Sequence, residues 1–181
     1  DYITGLAVRL LDNTIDVSKP PIPEALKHND EYRILGIGAL GLADYLAAKG
    51  ISYTKSEKAC DDLFQRAALA GVKQSALLAK ERGAYENYKG SDWSKGIYFG
   101  KDMKQLAKGK YSDAWTEVNS LVKKNGMRNG GLFAIAPNTS TSLLMGSTAS
   151  ILPIYRKFFV DKASNGAVPV VPPFLNADTF W

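Results

Sequence analysis

The chain of 181 residues has one cysteine, Cys60, and one histidine, His28. A single thiol cannot form a disulfide within the chain, which is typical of a reducing compartment. A lone histidine in a polar stretch argues against a zinc or iron site, because such a site needs several converging donors. The sequence also lacks an apolar run of about 20 residues, the length of a membrane-spanning helix, and its start lacks a signal-peptide pattern. We therefore expect a cytoplasmic protein with no membrane span and no metal site.

The net charge of +5 is spread along the chain. The densest basic run contains Lys101, Lys104, Lys108 and Lys110, with Tyr111 as its one close aromatic neighbour. This run matches no nucleic-acid-binding motif and is interpreted as a solvated face. Nucleic acid is therefore not an expected partner, although the positive charge can attract an anionic nucleotide.

The apolar content of 45% is enough for one domain-sized core. Apolar spacing predicts helices over residues 3–15, 24–30, 40–49 and 112–124, and a longest helix that opens with a capping box at Thr54-Lys55-Ser56-Glu57 and closes at Gly83. Short strands are predicted over residues 33–37 and 132–135, and residues 85–109 are predicted to be a long surface excursion with at most one short helix. Residues 157–161 and 167–171 flank Ser164-Asn165-Gly166 and predict a β-hairpin near the C-terminus. The predicted class is α/β and predominantly helical.

The most informative run is Ala136-Pro137-Asn138-Thr139-Ser140-Thr141-Ser142, which follows a short apolar stretch. Backbone N–H groups at a helix start have no intrahelical partner, so an anion can bind there, and hydroxyls can donate further hydrogen bonds to it. The loop has no lysine, so it is not a glycine-rich P-loop. Asn, Ser and Thr are also ordinary N-cap and turn residues. On chemistry alone the run is either a phosphate-binding loop or a capped turn.

A second glycine-rich run, Gly36-Ile37-Gly38-Ala39-Leu40-Gly41, matches the dinucleotide-binding pattern G-x-G-x-x-G. A dinucleotide-binding unit should return to a second parallel strand after one helix, whereas a long alanine-rich helix is predicted here instead. We therefore interpret these glycines as residues that allow close strand-to-helix packing.

Two blocks of sequence carry a family resemblance. Residues 126–135 (GMRNGGLFAI), the hydroxyl-rich run and residues 150–153 (SILP) form the first block, and residues 12–24 (DNTIDVSKPPIPE) with residues 33–46 (RILGIGALGLADYL) form the second. Both blocks, in this order and spacing, resemble stretches of the ribonucleotide reductase large subunit. Weaker matches at residues 79–83 and around Asn165-Gly166 extend the resemblance over nearly the whole chain.

The resemblance implies part of the reductase α/β barrel, in which the hydroxyl-rich loop binds the diphosphate of a ribonucleoside diphosphate substrate. By position, the contacts fall on Asn138, Thr139, Ser140, Thr141 and Ser142. Ser140 and Thr141 are the strongest candidates, because the first turn of the following helix should expose its free N–H groups there.

The chain departs from the family in its cysteines. As the resemblance implies, ribose reduction needs a thiyl-radical cysteine and a reducing cysteine pair, whereas Cys60 lies in a helical pattern outside those motifs and is interpreted as a small packing residue. We expect no catalytic residue in this chain. The chain begins at Asp1 and is interpreted as a fragment, 1–181, that forms a single partial barrel unit. This unit is expected to be helical over 1–126 and to hold the strand, loop and hairpin over 127–181. The fragment is expected to be inactive alone.

The partners implied by the resemblance are the ribonucleoside diphosphate, the remainder of the large subunit, and a small subunit that carries the radical cofactor. No cofactor is expected in this chain. A second interpretation is a stand-alone phosphate- or nucleotide-binding module that has no redox activity. A barrel fragment exposes apolar surface that other segments would cover, so the isolated chain is expected to be a homo-oligomer.

Overall fold

The computed structural model describes residues 1–154, 156–163 and 166–175. The helices are α1 (Tyr2–Val17), α2 (Pro23–Tyr32), α3 (Leu42–Ala48), α4 (Glu57–Arg82), α5 (Asp92–Lys95), α6 (Met103–Leu106), α7 (Ser112–Asn125) and α8 (Thr139–Met145), and the strands are β1 (Ile97–Tyr98), β2 (Lys101–Asp102), β3 (Phe159–Ala163) and β4 (Gly166–Val170). About half of the described residues lie in these helices, the sheets are small, and the described residues form no closed barrel. The predominantly helical class is thus confirmed in its broad form.

The described residues form two compact units, each made of two separate segments. Unit 1 contains Asp1–Ile37 and Asp62–Ala134, and unit 2 contains Gly38–Asp61 and the described residues from Ile135 onward. The long helix α4 begins in the second unit and continues into the first. That residues 1–181 belong to a single partial barrel unit stays a prediction.

Unit 1 has the larger hydrophobic core, built mainly from α4 and α7. The positions of α4 that are buried carry small or aliphatic side chains, so neighbouring segments can approach the helix closely. The buried cluster is Val8, Leu35, Leu69, Val72, Ala76, Leu78, Tyr85, Tyr98, Leu106, Trp115, Val118, Val122, Met127 and Leu132. As predicted, α4 ends before Gly83, whose φ of 89° is one that glycine adopts without strain. The helix starts at Glu57, however, so Thr54 is not its cap residue, and the predicted capping box is wrong.

Residues 85–109 are not a surface excursion, and this prediction is wrong. Tyr98 is 1% exposed and its ring centroid lies 5.4 Å from that of the buried Trp115. The segment reverses direction in a two-residue turn between β1 and β2, where Phe99 and Gly100 both have positive φ. The aromatic side chains give this irregular segment enough apolar area to join the core.

The two strands predicted at residues 33–37 and 132–135 meet in a single parallel bridge, Ile37↔Phe133. Leu35 N donates to Gly131 O at 2.8 Å and Ala134 N donates to Ile37 O at 3.0 Å. The pairing is therefore parallel, as in an α/β fold, but too short to count as two strands.

The C-terminal hairpin is confirmed as an antiparallel pair. Its register runs from Phe159↔Val170 to Ala163↔Gly166. Ser164 and Asn165, the predicted turn residues, lie outside the described residues.

A buried ion network joins both motif blocks within unit 1. Asp12 is 0% exposed, and its Oδ1 accepts hydrogen bonds from Arg33 Nη2 at 2.8 Å and from Asn129 Nδ2 at 3.0 Å. Its Oδ2 accepts from Arg82 Nη1 at 3.3 Å and pairs with Arg128 Nε at 3.5 Å. Asp12 therefore holds α1 against Arg33 after α2, against Arg82 at the end of α4, and against Arg128 and Asn129.

Candidate functional site

The hydroxyl-rich loop turns into α8 at Asn138. Asn138 has φ 52° and ψ 29°, a left-handed conformation that asparagine tolerates better than most side chains. Ser142 N donates to Asn138 O at 2.8 Å, which is the first helical bond. The N–H groups of Thr139, Ser140 and Thr141 precede that bond, so they have no helical acceptor. This turn therefore supplies three backbone donors and the positive end of a short helix.

The five predicted site residues divide by exposure. The side chains of Thr139, Ser140 and Thr141 are exposed, and Asn138 is partly buried. Ser142 is 2% exposed, and its hydroxyl donates to the Thr139 carbonyl at 2.7 Å. The structure thus brings three consecutive hydroxyls and three amides without a helical acceptor to one exposed turn, whereas the Ser142 hydroxyl supports that turn from inside.

The other end of α8 is held by residues of the second motif block. The helix ends at Gly146, and Ser147 N donates back to Ser142 O at 2.9 Å. Asp44 Oδ2 accepts hydrogen bonds from Ser147 Oγ at 2.8 Å and from Thr148 N at 2.7 Å. The Asp44 side chain therefore binds both a hydroxyl and a backbone amide of the turn that follows α8.

The third glycine of the G-x-G-x-x-G run lies against the same turn. Gly41 N donates to Thr148 O at 2.8 Å, and Gly41 has φ 76°. A Cβ atom at this position would collide with Ser147 Oγ. The run therefore allows a close approach at Gly41, but the partner is the loop after α8 and not the predicted strand-to-helix contact.

A further contact holds the segment beyond this turn. Tyr53 Oη donates to Ile151 O at 2.6 Å. Ser150, one residue earlier, is 4% exposed and has a left-handed φ of 52°. The backbone on the C-terminal side of α8 is thus fixed at Thr148 and at Ile151.

The other candidate groups of the sequence have ordinary surroundings. Cys60 is partly buried, with its Sγ 3.5 Å from Ser56 Oγ, and exposed His28 lies against Tyr32 with a centroid separation of 5.0 Å. Across the described ranges, no three His, Cys, Asp or Glu side chains converge as metal ligands would. None of the helices in those ranges has the length and apolarity to cross a bilayer.

Sequence reasoning missed Asp44, Ser147 and Thr148 as parts of the loop's surroundings. Asp44 stands in the quoted GLAD stretch, but its contacts lie more than 100 positions away in the sequence. A carboxylate in the first turn of α3 is also an ordinary helix-start residue, so no local signal distinguishes it.

Comparison with known proteins places the sequence that forms this loop in a family. The family model described as ribonucleotide reductase, barrel domain, matches residues 1–179. The chain is 42% identical over 181 residues to the ribonucleoside-diphosphate reductase subunit alpha of Synechocystis sp., covering 99% of this chain and 23% of that protein. The same subunit of Helicobacter pylori is 38% identical over 187 residues, covering 98% and 24%, and that of Treponema pallidum is 37% identical over 179 residues, covering 98% and 20%.

The chain thus spans between a fifth and a quarter of the length of these curated relatives. The expectation from the two motif blocks is confirmed, because the family model covers nearly every residue. This chain belongs to the ribonucleotide reductase family, and the family model that it matches is that of the barrel domain.

Proposed function

We propose that this chain is a segment of a ribonucleoside-diphosphate reductase large subunit and supplies the loop that binds the substrate diphosphate. The observation that carries the proposal is the exposed turn at Thr139, Ser140 and Thr141, with its three free amides and three hydroxyls, in a chain of the reductase family. Backbone and hydroxyl donors of this kind match the oxygens of a phosphate.

In this proposal the loop binds and orients, and it carries no reaction step itself. The free amides and the Ser140 and Thr141 hydroxyls donate to the phosphate oxygens. Asn138 sets the turn through its left-handed backbone, and Ser142 holds it by donating to the Thr139 carbonyl. A phosphate held at one end of the nucleotide limits the positions of the attached ribose, which is what a distant reacting group needs.

The remaining parts of the reductase are proposed to come from outside this chain. The thiol chemistry would belong to other segments of the large subunit, and the radical cofactor to a small subunit. In isolation the 181-residue chain is proposed to be inactive and to form homo-oligomers through its uncovered apolar residues. As part of the reductase it is proposed to act in the cytoplasm, in deoxyribonucleotide synthesis.

The direct test is calorimetric titration of the chain with CDP. A variant with Ser140→Ala and Thr141→Ala should bind CDP more weakly by about 1 to 3 kcal/mol, because two donors to an anion are lost. The matched control is Thr116→Ala with Ser120→Ala, which removes two exposed hydroxyls that donate to backbone carbonyls of α7. Equal affinity of the loop variant and the control would contradict the proposed site.

A second test addresses the reductase itself. The matching segment of the Synechocystis alpha subunit would be replaced by residues 1–181 and assayed with its small subunit for reduction of CDP. We expect turnover by the chimera and none by the 181-residue chain alone. CDP binding by the chain together with a folded but inactive chimera would favour a stand-alone nucleotide-binding module.

A further inference from the structure

The turn that follows α8, residues Gly146, Ser147 and Thr148, is attached to the start of α3 by three hydrogen bonds. Two of them end on one oxygen of Asp44, from Ser147 Oγ and Thr148 N, and the third runs from Gly41 N to Thr148 O. Asp44 is 6% exposed, so water competes little for these bonds. We propose that Asp44 is a positioning residue for the diphosphate-binding loop, a role that rests on the function proposed above.

The connection from Asp44 to the loop is short. Ser147, whose hydroxyl binds Asp44, also donates its backbone N–H to Ser142 O at 2.9 Å. Ser142 in turn donates its hydroxyl to Thr139 O and its N–H to Asn138 O. The chain of contacts therefore runs from Asp44 through Ser147 and Ser142 to the residues that expose the free amides.

The geometry also shows why the turn needs a fixed partner. Helix α8 has seven residues and carries large apolar side chains on its last turn, of which Leu144 is 86% and Met145 67% exposed. Burial of those side chains therefore does little to hold the helix in place. A charged acceptor that binds both a hydroxyl and an amide supplies stronger hydrogen bonds than a neutral one.

Two buried polar atoms mark Asp44 as more than an ordinary helix-start residue. Asp44 Oδ1 and Thr148 Oγ1 are buried and have no hydrogen-bond partner among the described residues. A buried carboxylate that uses one oxygen for two bonds and leaves the other unpaired is costly to keep. That cost has a function if the two bonds made by Asp44 Oδ2 set the geometry of the loop.

The test compares Asp44→Ala and Asp44→Asn in the 181-residue chain, with CDP titrated by calorimetry. The exposed Asp30→Ala on α2 is the matched control. We expect Asp44→Ala to raise the dissociation constant about tenfold, since two hydrogen bonds to the turn are lost. Asp44→Asn should stay within about threefold of the unchanged chain, because its amide oxygen can accept both bonds.

Calorimetry separates this role from a purely structural one. If Asp44 only stabilised the fold, Asp44→Ala would lower the number of binding-competent chains and leave the dissociation constant of the folded fraction unchanged. That result would overturn the inference, as would equal weakening by Asp44→Asn and Asp44→Ala. Should Asp44→Ala not fold, Ser147→Ala removes one of the two bonds and is expected to weaken CDP binding about threefold; an unchanged dissociation constant for Ser147→Ala would then overturn it.

The inference can fail separately from the proposed function. If Ser140→Ala with Thr141→Ala weakens CDP binding and Asp44→Ala does not, the loop is the site and Asp44 does not position it. If neither variant changes CDP binding, the diphosphate site itself is refuted.

Discussion

Replacing Asp12 tests the buried ion network most sharply. Asp12 is 0% exposed and lies beside Arg33, whose side chain is 7% exposed, and beside the less buried Arg82 and Arg128. Asp12 and Asp16 together bring two negative charges to three guanidinium groups. Asp12→Ala would leave Asp16 as the remaining carboxylate shared by these three guanidinium groups, of which Glu81 pairs with Arg82 alone, and would remove the Oδ1 acceptor that Arg33 and Asn129 share.

The expected magnitude follows from burial. Removing one partner of a buried pair leaves an uncompensated buried charge, at a cost of about 3 to 5 kcal/mol. Domains of this kind unfold with a total free energy of roughly 5 to 15 kcal/mol, so this single change removes a large part of the stability. With a urea dependence of about 2 kcal/mol per molar, the unfolding midpoint should fall by roughly 1.5 to 2.5 M.

The assay is urea unfolding followed by far-UV circular dichroism. The control is Glu117→Ala, which breaks the pair between Lys73 and Glu117, with an N–O distance of 2.8 Å and side chains 48% and 62% exposed. That exposed pair should contribute less than about 1 kcal/mol. If Asp12→Ala costs no more than Glu117→Ala, the network does not hold unit 1 together and the reasoning is refuted.

Three further predictions concern other parts of the chain. Gly126→Ala should lower the free energy of unfolding in urea by about 2 to 4 kcal/mol, because its φ of 78° and ψ of −165° suit glycine and a Cβ would lie 2.8 Å from that of Ala84. The control, Gly109→Ala, has open space around the new Cβ and should change this free energy by less than about 1 kcal/mol. Hydrogen bonds from Lys110 and Tyr111 lower the pKa of Asp62. The ionised group therefore stabilises the fold above its ordinary pKa of 3.8, and this contribution is lost as the pH falls below that value. In Asp62→Asn the free energy of unfolding should depend less steeply on pH in the acid range. Light scattering over a concentration series should show the isolated chain as an oligomer, because α1 and α8 expose apolar side chains. A strictly monomeric chain would contradict the inference that this surface drives association.

The buried hydroxyl of Tyr98 leads to a prediction about stability at alkaline pH. Desolvation raises the pKa of Tyr98 well above its ordinary value of 10, and its hydroxyl donates to Asn119 Oδ1 at 3.0 Å. The folded state keeps this proton while the unfolded chain loses it above about pH 10, so stability falls as the pH rises beyond that value. Tyr98→Phe should be less stable at neutral pH, yet its stability should decline less steeply in alkaline thermal melts. If the stability of both proteins declined equally with rising pH, the inference that the Tyr98 hydroxyl causes the decline would be contradicted.

The regular helices were predictable because their signals are local. The apolar stripe of α1, the stop of α4 before Gly83 and the end of α7 before Gly126 all follow from residues within a few positions of each other. Residues 85–109 have no such period. They join the core through Tyr98 packing on Trp115, a contact that depends on tertiary structure.

The candidate loop also combines features that local sequence predicts with features that depend on tertiary contacts. The hydroxyl run and its helix start could be read from the sequence, and the exposure of Thr139, Ser140 and Thr141 agrees with that expectation. The inward position of Ser142 and the bonds to Asp44 could not, because each depends on how the chain returns after α8. The diphosphate role came from family resemblance and stays a prediction until titration tests it.

The alternation of the two units along the polypeptide constrains how the molecule can be made. Unit 1 needs the stretch that ends at Ala134 before its core residues are all present, and Gly38–Asp61 must wait for residues beyond Ile135. During synthesis, the first third of the chain therefore emerges before the later segments that complete both units. A single cut cannot release either unit intact, so an engineer who wants the loop by itself must rejoin two distant pieces with a new linker.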